Sequence, residues 1–334
     1  MIDLNKVHEL IGGAGRILLT THENPDGDGL GCLSAMYDYL LSIKKECRIL
    51  CPSELPTEFE FLVHADAIRQ YNPVSDVSWV SRADLVVVFD VGDFNRLRVL
   101  GNAIREHSIP TVNIDHHLHV NENLFTYNLV DLQTAATGEI LFDFFKPVVG
   151  DRLPFAIAEG LYTAVMTDTG SFRYSNTNIR SHEIAVECIR AGVQPHKIYQ
   201  LVYESRSVGK MKLLGSILNS LKFECNGQLA WFSIDHRMLA EAAASPSDVD
   251  GFTDFIRSIK GVEVALMMFQ NGSDTCRINF RSKGKYQIHG VATRMGGGGH
   301  PFAAGAVING QLATVVPQVV SATIATINQQ DGRE

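Results

Sequence analysis

Residues 16–31 read RILLTTHENPDGDGLG, an apolar run that breaks at His22 into an acidic loop and then enters a helix-length pattern. The run Arg16–Thr21 has the length and apolar content of a buried strand. Pro25, Gly27 and Gly29 force a tight loop after it, so that His22, Asp26 and Asp28 can project into one space. Apolar residues at Leu33, Met36, Tyr37, Leu40 and Leu41 place a helix over 29–45, with Lys44 and Lys45 suited to its C-terminal end. Working outward, RILC at 48–51, LVVVF at 85–89 and TVNI at 111–114 are further short apolar runs, and helical spacing returns over 154–167 and 178–191. Strands alternating with helices predict an α/β fold whose N-terminal sheet is mainly parallel and flanked by helices. Residues 196–221 read as one or two helices. Short strands follow at 229–234, 262–269 and 275–281, then a glycine-rich segment and a last helix near 313–328. The expected organisation is a domain over 1–190, a helical connector over 191–222 and a smaller C-terminal α/β domain over 223–334.

Composition limits the function. The chain has 334 residues, of which 45% are apolar, 20% charged and 8% aromatic, enough for two cores. Its formal net charge of −8 argues against a protein that grips long duplex DNA, which needs clustered cations to neutralise the backbone. No window reaches the roughly 18 apolar residues a membrane helix requires. Six dispersed cysteines without a CxxC pair read as reduced thiols, so a cytoplasmic chain with no membrane association is expected. The charge is unevenly spread: residues 1–224 hold 20 Lys plus Arg against 28 Asp plus Glu, whereas residues 225–334 hold 9 of each. From Thr275 through Gln330 there is no acid at all, while Arg277, Arg281, Lys283, Lys285 and Arg294 fall there. An acidic portion facing a small cationic one is how an enzyme for phosphorylated substrates divides its work.

Four clusters carry the chemistry. His22, Asp26 and Asp28 follow the first strand, Asp90 follows LVVVF, Asp115, His116 and His117 follow TVNI, and Asp168 closes an apolar helix. A single Asp after a strand is ordinarily a turn residue or a helix cap, and adjacent histidines are often on the surface. Three of the four clusters, however, sit at the carboxyl ends of strands, where open α/β sheets bind ligands. Converging carboxylates would repel and raise one another's pKa unless a cation intervened. Two divalent ions resolve this, and the mixture of imidazole and carboxylate suits Mn²⁺, with Mg²⁺ and other divalent ions also compatible. Two ions about 3.5–4 Å apart activate water for in-line attack on phosphorus, which is phosphoester hydrolysis. His119 lacks comparable support and reads as a surface residue. In the second portion, Gly296 to Gly299 lack side chains that would keep a ligand away, so their backbone N–H groups can approach phosphate oxygens, with Arg281 and His300 adding charge.

These residues resemble the DHH phosphoesterase family, named for the triplet at 115–117. The resemblance takes in His22, Pro25, Asp26, Asp28 and Gly29, Asp90, and Asp168 within TDTGSFRYSNT; Phe280, Arg281, Ser282 and the GGGGHPFAAG segment from Gly296 look like the family's DHHA1 domain. Within the family the chain is most similar to the stand-alone bacterial nanoRNase (oligoribonuclease) and pAp phosphatase group. The resemblance implies one metal held by His22, Asp26 and Asp90 and a second by Asp28, Asp90, His116 and Asp168. It implies that Asp115 orients the histidine pair, that His117 faces the scissile phosphate, and that Arg281, Ser282, Gly297, Gly298, Gly299 and His300 bind substrate. Cys32 departs from the Ser often found there. The expected activity is hydrolysis of short RNA or DNA oligonucleotides, dinucleotides and pAp (3′-phosphoadenosine 5′-phosphate). Cyclic dinucleotides or their linear pNpN products are the alternative substrates, and an inactive nucleotide-binding regulator is the alternative of another class. A homodimer is compatible with the sequence.

Overall fold

The computed structural model describes residues 3–117 and 124–332, and His119 lies outside them. Contacts divide the chain into two units, 1–205 and 206–334.

The first unit contains, in chain order, α1 (Leu4–Gly13), β1 (Arg16–Thr21), α2 (Gly27–Ser42), β2 (Glu46–Cys51), β3 (Ile68–Gln70), α3 (Val77–Val80), β4 (Leu85–Phe89), α4 (Arg98–Glu106), β5 (Thr111–Asp115), β6 (Tyr127–Val130), α5 (Thr137–Phe145), α6 (Phe155–Asp168), α7 (Ile179–Arg190) and α8 (Pro195–Tyr203). Its strands form one sheet in the order β3-β2-β1-β4-β5-β6, parallel throughout. The runs in β1 and β4 are apolar at consecutive positions because both sheet faces are covered. Ile17, Leu19, Val87 and Phe89 enter the core beneath α2, α5 and α6, whereas Leu18, Val86 and Val88 face Trp79, Leu100 and Ile104 on the other side. The strand order reverses between β1 and β4, and crevices beyond the carboxyl ends of strands at such a switch point are where ligands bind.

Two sequence expectations shift here. The helix after β1 covers 27–42 rather than 29–45, because the Asp26 side chain accepts from the N–H groups of Asp28 and Gly29 and caps it two residues earlier. Lys44 lies beyond the helix in a left-handed turn (φ 58°), and Lys45 Nζ reaches the carbonyls of Gly12 and Ala14 at 2.7 and 2.6 Å. Its charge therefore serves the C-terminal end of α1 and not that of its own helix.

The second unit contains α9 (Val208–Ser220), β7 (Lys222–Glu224), β8 (Leu229–Ile234), α10 (His236–Ala242), α11 (Phe252–Arg257), β9 (Val264–Gln270), β10 (Thr275–Ser282), α12 (His289–Arg294), β11 (Gly298–His300), β12 (Ala303–Asn309) and α13 (Leu312–Gln330). The sheet order is β11-β12-β10-β9-β8-β7; β8 and β9 pair in parallel and the other pairs are antiparallel. Residues alternate along β10, with Cys276, Ile278, Phe280 and Ser282 buried while Arg277, Asn279 and Arg281 stand on the opposite, solvent-reaching face. The 191–222 segment holds two helices, α8 in the first unit and α9 in the second. Among the described residues no helix is long and apolar enough to cross a membrane.

Candidate metal centre

Asp90 is the first residue after β4 and takes a left-handed conformation (φ 60°), which turns its carboxylate back over the strand ends. Around it gather the other three clusters. His22 Nε2 lies 3.3 Å from Asp90 Oδ2 and 3.9 Å from Asp26 Oδ2. His116 Nε2 lies 3.1 Å from Asp168 Oδ2, 3.5 Å from Asp90 Oδ1 and 3.7 Å from Asp28 Oδ2. His117 Nδ1 stands 2.9 Å from Asp115 Oδ1 and 3.2 Å from Asp90 Oδ1. The donor atoms form three groups: His22 with Asp26 and Asp90; Asp28 with His116 and Asp168; and Asp90 with Asp115, His116 and His117. All eight residues singled out from the sequence thus meet at one place.

Local structure fixes each side chain. Asp28, fully buried, accepts from the N–H groups of Thr137 at 2.7 Å and Gly138 at 2.9 Å at the start of α5, and it lies in the first turn of α2. Two helix N-termini therefore favour its charge. Asp168 has the opposite placement: it ends α6, where the helix dipole disfavours a carboxylate, so local folding does not explain it. Asp115 Oδ1 accepts from the backbone N–H groups of His116 and His117 at 2.7 and 3.2 Å, which shapes the turn that carries both imidazoles. His22 Nδ1 is 2.7 Å from the Glu23 carbonyl oxygen and 2.7 Å from Arg96 Nη2. Glu23 is itself fixed by Arg98, whose Nε and Nη2 both donate to its carboxylate at 2.5 Å.

The electrostatics are those of a cluster with too many negative charges. Burial, with Asp90 and Asp168 nearby, pushes Asp28 well above the usual carboxylate range. Asp26 keeps 55% of its side-chain surface exposed, yet the protein around it and the Asp90 carboxylate push it up to about 6. Burial works in the same sense on Asp90, but the imidazoles of His116, His117 and His22 outweigh it and hold the group well below that range. Against the effect of burial, Asp168 and Asp90 push His116 up to about 12, and Asp115 and Asp90 push His117 up to about 10. Asp90 Oδ1 and His116 Nε2 are buried and make no hydrogen bond although other donors surround them. Buried, unbonded oxygen and nitrogen donors facing one another fit a divalent cation.

Sequence reasoning missed Arg96, the Glu23–Arg98 pair and the Thr137–Gly138 donors. The last left a signal, since AATGE at 135–139 places small residues immediately before an apolar helical run. Cys32 packs under the site with Sγ 3.6 Å from Asp28 Oδ1. A cavity of about 800 Å³ beside α5 and α7 lies elsewhere, and its Arg180 and Arg190 are paired with Asp143 and Glu187.

The residues expected to bind substrate lie in the second unit. Arg281 and His300 are both in register with Ala303, so they share one sheet face with a small residue between them. Arg281 Nε is 3.4 Å from Asp254 Oδ2. Ser282 points to the opposite, buried face and accepts from the Gly284 N–H. The glycine segment is partly a strand and not simply a loop: Gly298–His300 pairs with β12. A Cβ on Gly297 would overlap the Gly305 carbonyl, and Gly299 has φ 137°, so strand approach explains these two glycines. Gly298 faces open space.

Residues 16–166 match the DHH family, N-terminal domain, and residues 226–329 match the DHHA1 domain. The chain is 27% identical over 301 residues to the bifunctional oligoribonuclease and PAP phosphatase NrnA of Thermus thermophilus, covering 89% of this chain and 85% of that one. It is 26% identical over 299 residues to the protein of the same name from Bacillus subtilis, covering 87% and 89%. In fold it resembles the crystal structure of an exopolyphosphatase-related protein from Bacteroides fragilis, with a TM-score of 0.89, 23% identity and coverage of 98% and 95%. With both domains matched in order and the His and Asp clusters gathered at the switch point of the first sheet, the chain belongs to the DHH/DHHA1 phosphoesterase family.

Proposed function

We propose that the chain is a metal-dependent phosphoesterase that hydrolyses short oligonucleotides and dinucleotides to mononucleotides and removes phosphate from 3′-phosphoadenosine 5′-phosphate. The observation that carries this reading is Asp90, which faces both the His22–Asp26 pair and the histidines of the third cluster. Its relatives over most of the chain bear names for that pair of activities. An inactive nucleotide-binding protein is disfavoured because the donor set is complete.

His22, Asp26 and Asp90 would hold one divalent ion, and Asp28, Asp90, His116 and Asp168 a second, with Mn²⁺ suited to the mixed donors. Bound there, such ions supply Lewis acidity toward phosphoryl oxygens and lower the pKa of water. The chain's own groups do the rest. The N–H groups of Thr137 and Gly138 keep the Asp28 carboxylate aimed inward. Asp115 holds His117 Nδ1, so Nε2 is the nitrogen that meets a phosphoryl oxygen and offsets charge building there in the transition state. Arg281 and His300 provide a cationic face for a terminal phosphate, and Gly298 allows close backbone approach.

Purified protein with Mn²⁺ is expected to cleave pApA and dephosphorylate pAp. Asp90→Asn and His116→Ala should each lower kcat by more than about 100-fold, since changing a partner one shell further out already costs 10–100-fold. Unchanged turnover in both variants would overturn the assignment.

A further inference from the structure

The turn after Asp168 is built at a conformational cost. Gly170, Ser171 and Phe172 pass in succession through the left-handed region (φ 55°, 61° and 61°), which two side-chain-bearing residues enter only when the surroundings enforce it. The turn uses its own polar groups: Ser171 N–H donates to the Met166 carbonyl at 2.7 Å, and Arg173 Nε donates to the Gly170 carbonyl at 2.8 Å. Asn176 Nδ2 donates to the carbonyls of Asp168 and Ala135, both at 3.1 Å, so the turn is tied to the metal-facing end of α6. What the strained backbone accomplishes is placement of the Arg173 and Tyr174 side chains. The Tyr174 ring lies flat against Gly170, where a Cβ would overlap it, and the residue stays 49% exposed.

Helix α8 brings two more rings to the same neighbourhood. Tyr199 and Tyr203 have centroids 5.1 Å apart with planes at 47°. Burial and Tyr174 push the Tyr203 hydroxyl up to about 12, and Arg173, Tyr199 and Asp168 also act on it. The helix rests on the short turn Thr57–Phe59, and Phe59 stands against Gly27 in the donor loop. Arg173 and Tyr174 thus follow Asp168 in the turn, and Tyr203, with Tyr199 beside it, lies near enough to feel the charges of Asp168 and Arg173. Neither metal binding nor water activation uses Arg173 or the three tyrosines, and Tyr174 and Tyr199 are too exposed to be core.

We propose that Tyr174, Tyr199 and Tyr203, with Arg173, form a stacking surface for the nucleobase of the nucleotide whose phosphate would meet the divalent ion that Asp168 helps to hold. The inference rests on the phosphoesterase reading above and specifies which part of the substrate the first unit recognises. Aromatic faces and a guanidinium plane stack on any base, with purines gaining more area than pyrimidines. The surface therefore selects nucleotides over other phosphate esters without reading sequence.

The test compares the Mn²⁺-loaded full chain, Tyr174→Ala and Tyr174→Phe on pApA and on the same dinucleotide with either base removed. Tyr174→Ala is expected to raise KM for pApA by about tenfold, within the roughly 5- to 150-fold range of one lost base stack, and to leave KM on one of the abasic substrates at the wild-type value. Tyr174→Phe keeps the ring and should keep the wild-type KM; equal Tm values exclude unfolding. Equal effects of Tyr174→Ala on intact and both abasic substrates, or no effect on any, would overturn the proposal. If the wild type cleaves none of these substrates, the phosphoesterase reading fails by itself. Calorimetry then decides the stacking surface: wild type binding AMP more tightly than ribose 5-phosphate, with the difference lost in Tyr174→Ala, supports it, and equal binding of the two overturns it.

Discussion

Asp90 ends β4 with a positive φ, and its two oxygens face different histidines, Oδ2 toward His22 and Oδ1 toward His116 and His117. In the metal-free protein the excess of carboxylates around it is balanced by protons, with His116 pushed up to about 12, His117 up to about 10 and Asp26 up to about 6. A divalent ion must displace such protons, since ligands bind as carboxylate and neutral imidazole. The sign follows directly. Groups with raised pKa are protonated below it, so lowering the pH strengthens the proton as competitor and weakens the metal. With His116 protonated across the neutral range, Mn²⁺ affinity should fall by about tenfold or more per pH unit between pH 8 and 6, and more steeply once Asp26 begins to protonate near 6. Calorimetric titrations of the metal-free protein in two buffers of different protonation enthalpy check this through the protons released. Identical heats in both buffers and a pH-independent Kd would contradict it.

Helices α2 and α6 deliver Asp28 and Asp168, and they can do so because two glycines let them touch. A Cβ on Gly31 would overlap the Gly160 carbonyl, and a Cβ on Gly160 would overlap the Gly31 carbonyl. Alanine is the better helix former by about 1 kcal/mol, so propensity alone predicts that Gly31→Ala stabilises. Backbone contact reverses the sign: overpacking costs about 3 kcal/mol where neither carbonyl can yield, leaving a net loss of about 2 kcal/mol. For a unit of this size that lowers Tm by about 4–8 °C, and the displaced Asp28 should weaken Mn²⁺ binding as well. Gly215 in α9 provides the contrast, since nothing lies within 4 Å of its Cβ position, and Gly215→Ala should raise stability by up to about 1 kcal/mol. Thermal melts of both variants, with opposite shifts, distinguish crossing geometry from propensity. Elements of this kind show what a sequence makes legible. The apolar runs of β1, β4 and β5 and the acids that follow them could be read because strand burial and strand-end chemistry leave local patterns. The α2–α6 contact, the Thr137 and Gly138 donors and the Arg96 contact to His22 could not, because each joins residues more than 70 positions apart. The glycine segment adds a demand of another kind: Gly297 must be small because the Gly305 carbonyl of the neighbouring strand β12, only eight positions away in sequence, lies where its Cβ would be.

At the scale of the whole molecule, the structural boundary after Ser205 sharpens the charge division. Counted from there, residues 1–205 carry a formal −11 and residues 206–334 carry +3, because Arg206, Lys210, Lys212 and Lys222, against Glu224 alone, fall in the second unit. Bound divalent ions offset part of the first value. The second unit's cations are few and partly committed: Arg277 Nη2 lies 2.7 Å from Asp250 and Arg281 Nε lies 3.4 Å from Asp254. Such a surface can meet two or three phosphates but cannot follow a long backbone. If about two to three charges are neutralised, the log–log salt slope for single strands is about −1.4 to −2.1, and raising monovalent salt from 50 to 200 mM weakens binding about 7- to 20-fold. The slope should be the same for RNA of 5 and of 20 nucleotides, with no gain in affinity for the longer strand. Equilibrium binding of both lengths to the Asp90→Asn variant across that salt range provides the measurement. A slope that steepens with length would mean that the basic residues beside the glycine segment track a backbone, and short nucleotides would then lose their standing as the fitting substrates.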